Sequence, residues 1–124
     1  RPRYQRLLKK AEQDFKVAQL LDVEELPSII AFHVQQGLEK LFKVCIGESG
    51  TRAPPIHDLV ELWLIACKYV PLEINQTFLE LVSAFAIDVR YDIEATPEQA
   101  KLALEEALKI RTAVLFWLET KLAS

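Results

Sequence analysis

Residues 96–122 read TPEQAKLALEEALKIRTAVLFWLETKL, and this stretch decides the fold class. Thr96, Pro97 and Gln99 supply an N-cap, a first-turn proline whose missing N–H costs nothing there, and a glutamine three residues after the cap. Behind that start signal, Ala100, Ala103, Ala107, Ile110, Val114 and Trp117 recur at intervals of three and four. That spacing puts them on one side of a helix. Leu104, Leu108, Leu115, Leu118 and Leu122 form a second apolar row. A single small core rarely needs both rows, so the helix is expected either to lie centrally in a bundle or to meet another subunit with its second face.

Upstream, the same periodicity predicts four more helices. The first runs near 3–22 on Leu7, Leu8, Ala11, Phe15, Ala18 and Leu21. The second runs near 27–46, opening on Pro27, carrying Ile30, Val34, Leu38, Leu41, Phe42 and Cys45 inward, and ending at Gly47. Residues 47–56, GESGTRAPPI, form a loop, since two glycines and Pro54–Pro55 forbid helix continuation. A third helix near 57–69 uses Leu59, Leu62, Trp63, Ala66 and Cys67. Past Pro71, a fourth near 72–89 uses Ile74, Phe78, Leu81, Val82, Phe85 and Val89. The expectation is an all-α, up-and-down antiparallel bundle of about five helices, one domain spanning 1–124 with no internal repeat.

Composition narrows the function classes. With 124 residues, of which 51% are hydrophobic and 27% charged, the chain is long enough for one core without staples. Cys45 and Cys67 lack metal or redox spacing and read as buried thiols of a reducing compartment, which argues against structural zinc. No apolar run reaches the roughly 18 to 20 residues of a membrane span, and the first residues are basic where a signal peptide is apolar. A cytoplasmic location is expected. The chain contains no Met, so a removed start with residues upstream of Arg1 is expected as well.

Charge is uneven. Residues 1–43 hold eight Lys/Arg and six Asp/Glu, whereas residues 44–124 hold seven and twelve. Arg1, Arg3, Arg6, Lys9 and Lys10 make a basic run that reads either as a phosphate-attracting patch or as a solvated helix face. A sequence pI near 5.4 argues against a dedicated polyanion binder.

Polar residues on the helices give the candidate site. His33, Gln36 and Lys40 are three and four apart and share one face, able to hydrogen-bond a phosphate or base edge, or to form a polar stripe toward solvent or a second subunit. Glu39 and Lys43 make a stabilising i,i+4 pair. His57 and Asp58 stand at the start of the third helix, a structural corner where Asp58 favours the helix dipole. Arg90 and Tyr91 close the fourth helix. They read either as a phosphate grip with a stacking ring or as a tie to Asp88, Asp92 and Glu94, a cluster in which the internal arginine favours ion pairs over a metal. No nucleophile triad, phosphate loop or HExxH pattern occurs.

Three of these segments together resemble the HEPN family of small helical domains associated with nucleotides and RNA. They are Ala31-Phe32-His33-Val34-Gln35-Gln36-Gly37-Leu38-Glu39-Lys40-Leu41-Phe42-Lys43, then His57-Asp58-Leu59 with Leu62, then Arg90-Tyr91 before the capped last helix. The resemblance runs from about Tyr4 to Leu122 and implies a bundle of four to five helices that usually dimerises. Many members are metal-independent ribonucleases that use an arginine, four to six residues, and a histidine. Arg90 matches that arginine, but the histidine positions hold Ala95, Thr96 and Pro97. The resemblance therefore implies a noncatalytic member without a cofactor. Such a member is expected to form a homodimer that binds a nucleotide, RNA or substrate through His33, Gln36, Lys40, Arg90 and Tyr91. It would accompany a minimal nucleotidyltransferase chain in a toxin–antitoxin-like pair. The alternatives are a ribonuclease with a displaced site, through Arg52 and His57 or through His33 supplied near Arg90 across a dimer, and a purely structural dimeric module.

Overall fold

The computed structural model describes residues 2–87 and 94–123. They form α1 (Pro2–Leu20), α2 (Pro27–Glu48), α3 (Leu59–Ala66), α4 (Gln76–Ile87) and α5 (Pro97–Ala123), and no strand occurs among them. The all-α bundle expected from the periodicity is the fold. The helix that touches each of the other four is α2, with α1 as its most extensive neighbour. Ile30, Val34, Leu38, Leu41, Phe42 and Ile46 of α2 are all essentially inaccessible. A helix covered on nearly every side must be apolar on nearly every side, which is why its pattern is broad.

Centrality thus falls to α2 and not to the last helix. On α5, Ala100, Ala107 and Val114 are fully buried, as their row predicts. Leu104, Leu108 and Leu115 are half-buried and pack against the same core, while Leu118 is buried. Most of the second apolar row is therefore used within the chain. Among the described residues, the large apolar side chains that α5 leaves in solvent are Leu102 and Phe116, 60% and 71% exposed.

Helix boundaries follow from local chemistry. Gly47 does not end α2. The helix continues to Glu48, and Gly47 is the seat of an aromatic ring: a Cβ there would overlap the ring of Tyr4. The chain turns at Gly50, whose φ of +93° is the left-handed conformation that favours glycine. α3 starts at Leu59, not at 57, because Asp58 is its N-cap, its Oδ1 accepting the Glu61 N–H at 3.0 Å. Likewise α4 starts at Gln76, since Oδ1 of Asn75 accepts the Thr77 N–H at 2.8 Å. In the connection between them, Trp63 Nε1 donates to the Leu72 carbonyl at 3.1 Å.

The start of α5 is as the sequence predicts. Thr96 Oγ1 accepts the Gln99 N–H at 3.1 Å, and Gln99 Oε1 accepts the Thr96 N–H at 2.9 Å, a reciprocal capping box. Arg111 then ties α5 to α1. Its Nε donates to both carboxylate oxygens of Glu12, at 2.7 and 2.9 Å, and Nη2 donates to Oε2 at 2.5 Å. Hydrogen bonding to that carboxylate raises the guanidinium pKa above its ordinary value. Among the described residues, no helix is long and apolar enough to cross a membrane.

Candidate polar site on α2

Two linked sets of polar side chains flank the apolar surface of α2. The first is centred on Asp14, which α1 brings against the middle of α2. His33 Nδ1 lies 3.0 Å from Asp14 Oδ1, and Lys40 Nζ donates to Oδ2 of the same carboxylate. An ionised carboxylate only accepts, so the proton of this contact sits on Nδ1. All three side chains are largely covered. The structure therefore brings His33 and Lys40, two turns apart on α2, together through an α1 residue that α2 periodicity does not reveal.

The second set is centred on Glu39. Gln35 and Glu39 are the buried polar residues among those described, 4% and 8% exposed. Glu39 Oε2 takes His57 Nδ1 at 2.8 Å and Lys43 Nζ at 3.2 Å, while Oε1 accepts from Gln35 Nε2 at 3.3 Å. Gln35 Nε2 also reaches the His57 carbonyl at 3.5 Å. Gln36 joins this set, its Nε2 donating to Gln35 Oε1 at 2.7 Å. A carboxylate held this deep is stable only with its lone pairs engaged, and here three donors engage them.

His57 consequently occupies more than a corner. Its Nδ1–H is fixed on Glu39, while the imidazole itself is 80% exposed. That arrangement leaves Nε2 as the acceptor nitrogen on a ring whose orientation is set from behind. Arg52, five residues earlier, is exposed on the same loop. The Glu39–Lys43 pair is present as the spacing predicts.

Arg90 and Tyr91, with Asp88 and Asp92, lie outside the described residues. The residues flanking that segment are anchored on α2. Phe85 and Ala95 share one buried cluster with Ala31, and the Ala95 N–H donates to Ser28 Oγ at 2.9 Å. Ala31 precedes Gln35 by one turn of α2. Where the family resemblance calls for a histidine, Ala95 is buried, Thr96 caps α5 and Pro97 is its first residue. Among the described residues, no three His, Cys, Asp or Glu side chains are placed to share a metal ion.

Sequence reading missed Asp14, Gln35 and the tie from Glu39 to His57. One signal was available. Gln35 follows Ala31 and precedes Leu38 and Phe42 at helical spacing, which makes it a polar residue in an apolar register. Such a residue is buried only with partners.

The family model described as HEPN domain matches residues 4–120 of the chain. No curated protein and no solved structure matches it.

Proposed function

We propose that this chain, which belongs to the HEPN domain family, is a noncatalytic module that binds a nucleotide or RNA segment as a homodimer, beside a minimal nucleotidyltransferase on a separate chain in a toxin–antitoxin-like pair. The observation that carries the noncatalytic part is the occupancy of positions 95–97 by a buried alanine, a capping threonine and a helix-opening proline. None of these exchanges a proton near neutral pH. Proton transfer by a positioned group contributes roughly 10²–10⁴-fold to such chemistry.

The binding part rests on His33, Gln36, Lys40, Arg90 and Tyr91. His33 and Lys40 are held by Asp14 before any ligand arrives, which lowers the ordering cost of binding. Asp14 also balances the charge of Lys40, so recognition at this face relies on directed hydrogen bonds more than on net positive charge. Its affinity is expected to respond weakly to salt, unlike that of a basic polyanion binder. The test is titration of purified protein with ATP and with a single-stranded RNA oligonucleotide at two salt concentrations, beside Lys40→Ala and Arg90→Ala. Saturable binding lost in both variants supports the reading; wild-type protein that binds neither probe sinks it.

A second reading is favoured by one contact. His57, oriented through Nδ1 by Glu39, has the geometry of a general base whose Nε2 accepts a ribose 2′-hydroxyl proton. This displaced ribonuclease predicts RNA cleavage in EDTA that His57→Ala abolishes. Intact RNA after prolonged incubation rejects it.

A further inference from the structure

We infer that the cleft where α5 comes against α1 is a binding site for a compact organic dianion, a phosphate monoester or a dicarboxylate, held by Lys9, Lys16 and Arg111. The inference goes beyond the reading above and concerns a different surface. Glu12, in the middle of this cleft, is two residues from Asp14 and points to the opposite side of α1, because two residues turn a helix by about 200°.

The charge of this surface follows from where α1 spends its acids. The helix carries two carboxylates, Glu12 and Asp14, and donors of other helices take both. Asp14 is held by His33 and Lys40 of α2, and Glu12 by Arg111 of α5 through both of its oxygens. On α1 alone, Glu12 would be the partner of Lys9, three residues before it, and of Lys16, four residues after it. Arg111 displaces them. Among the described residues, neither of these exposed lysines forms an ion pair.

The cleft encloses 630 Å³, and its charged lining is Lys9, Lys16 and Arg111 against Glu12, three cations to one carboxylate. A ligand of charge −2 cancels that surplus and relieves the repulsion among the cations, whereas a monoanion does so only in part. The lysines stand about one turn to either side of Glu12, and the guanidinium reaches over from α5. Arg111 directs Nε and Nη2 at Glu12, which fixes the plane of its fork and leaves Nη1 out of that contact. Phe15 and the 75% exposed Leu20 give the same cleft an apolar edge. Cations beside an apolar edge match an anionic group carried on a short hydrocarbon stem.

The test is titration of the purified protein with phenyl phosphate, succinate and acetate at fixed ionic strength, read by amide chemical shifts, on wild type and on Lys9→Gln/Lys16→Gln, with helix content checked by circular dichroism. The expected result is saturable shifts on α1 and around Arg111 with a dianion, at an affinity about tenfold or more above that of acetate, and a loss of about tenfold or more in the double variant. Saturation by phenyl phosphate alone identifies the phosphate class, and saturation by succinate alone the dicarboxylate class. Shifts that fail to saturate with either dianion overturn the site. So does a dianion affinity that the double variant leaves unchanged, since both lysines are exposed and their replacement leaves the core intact.

Discussion

His57, on the loop before α3, hydrogen-bonds through Nδ1 to Glu39 of α2 at 2.8 Å, an exposed ring held by a buried carboxylate. The contact joins two segments eighteen residues apart and makes the orientation of a surface imidazole depend on a side chain solvent barely reaches. Lys43 and Gln35 share the same carboxylate, so Glu39 is the point at which four polar groups are satisfied together.

Removing that acceptor is expected to cost more than removing any one donor. Glu39→Ala leaves Gln35 buried and Lys43 largely covered without their partner, a loss of about 2–3 kcal/mol by urea denaturation. His57→Ala takes away only an exposed ring and is expected to cost less than about 1 kcal/mol. Equal midpoints for the two variants would show that the Glu39 set is solvated and not structural.

Gly37 is the seat of a second α1 ring. A Cβ at this position would lie 2.7 Å from Cε1 and Cζ of Phe15, which is 1% exposed and walled in by the core. Alanine gains about 1 kcal/mol of helix propensity, but overpacking costs about 1–3 kcal/mol, so Gly37→Ala is expected to lower stability. Thermal melts of Gly37→Ala and Gly37→Ala/Phe15→Leu check this: the smaller side chain recovers part of the loss, and a Gly37→Ala melt above wild type contradicts the packing.

Burial pushes the Cys45 thiol up to about 12 from 9.0. The folded state keeps a proton that the unfolded chain releases, so this contribution is complete below pH 9.0 and declines as pH rises toward 12. Its slope approaches about 1.4 kcal/mol per pH unit within that window. Cys45→Ala should flatten the difference between unfolding free energies measured at pH 8 and pH 10.5. An unchanged difference would mean that the thiol is not shielded.

The fold was legible because its signals are local. Capping chemistry at Thr96 and Gln99 and three-four spacing on α1, α2 and α5 depend on residues a few positions apart, and each marks the helix it predicts. Helix ends were less legible where a side chain outside the helix decides them. Gly47 has the composition of a terminator, yet Tyr4, more than forty residues away, explains the glycine. The same reasoning applies to the site. Spacing on one helix groups His33, Gln36 and Lys40, but it cannot supply Asp14 from α1 or connect Glu39 with a loop residue. Of the five residues grouped by sequence, Arg90 and Tyr91 lie outside the described residues.

The bond from the Ala95 amide to Ser28 Oγ closes a span of 67 residues. Neighbouring helices of a bundle find each other quickly through short connections, whereas a contact of this separation carries a larger chain-entropy cost before it is rewarded. The α1–α2 and α3–α4 pairings, which join helices adjacent in the chain, are therefore expected to form before the contact that seats the start of α5 on the start of α2.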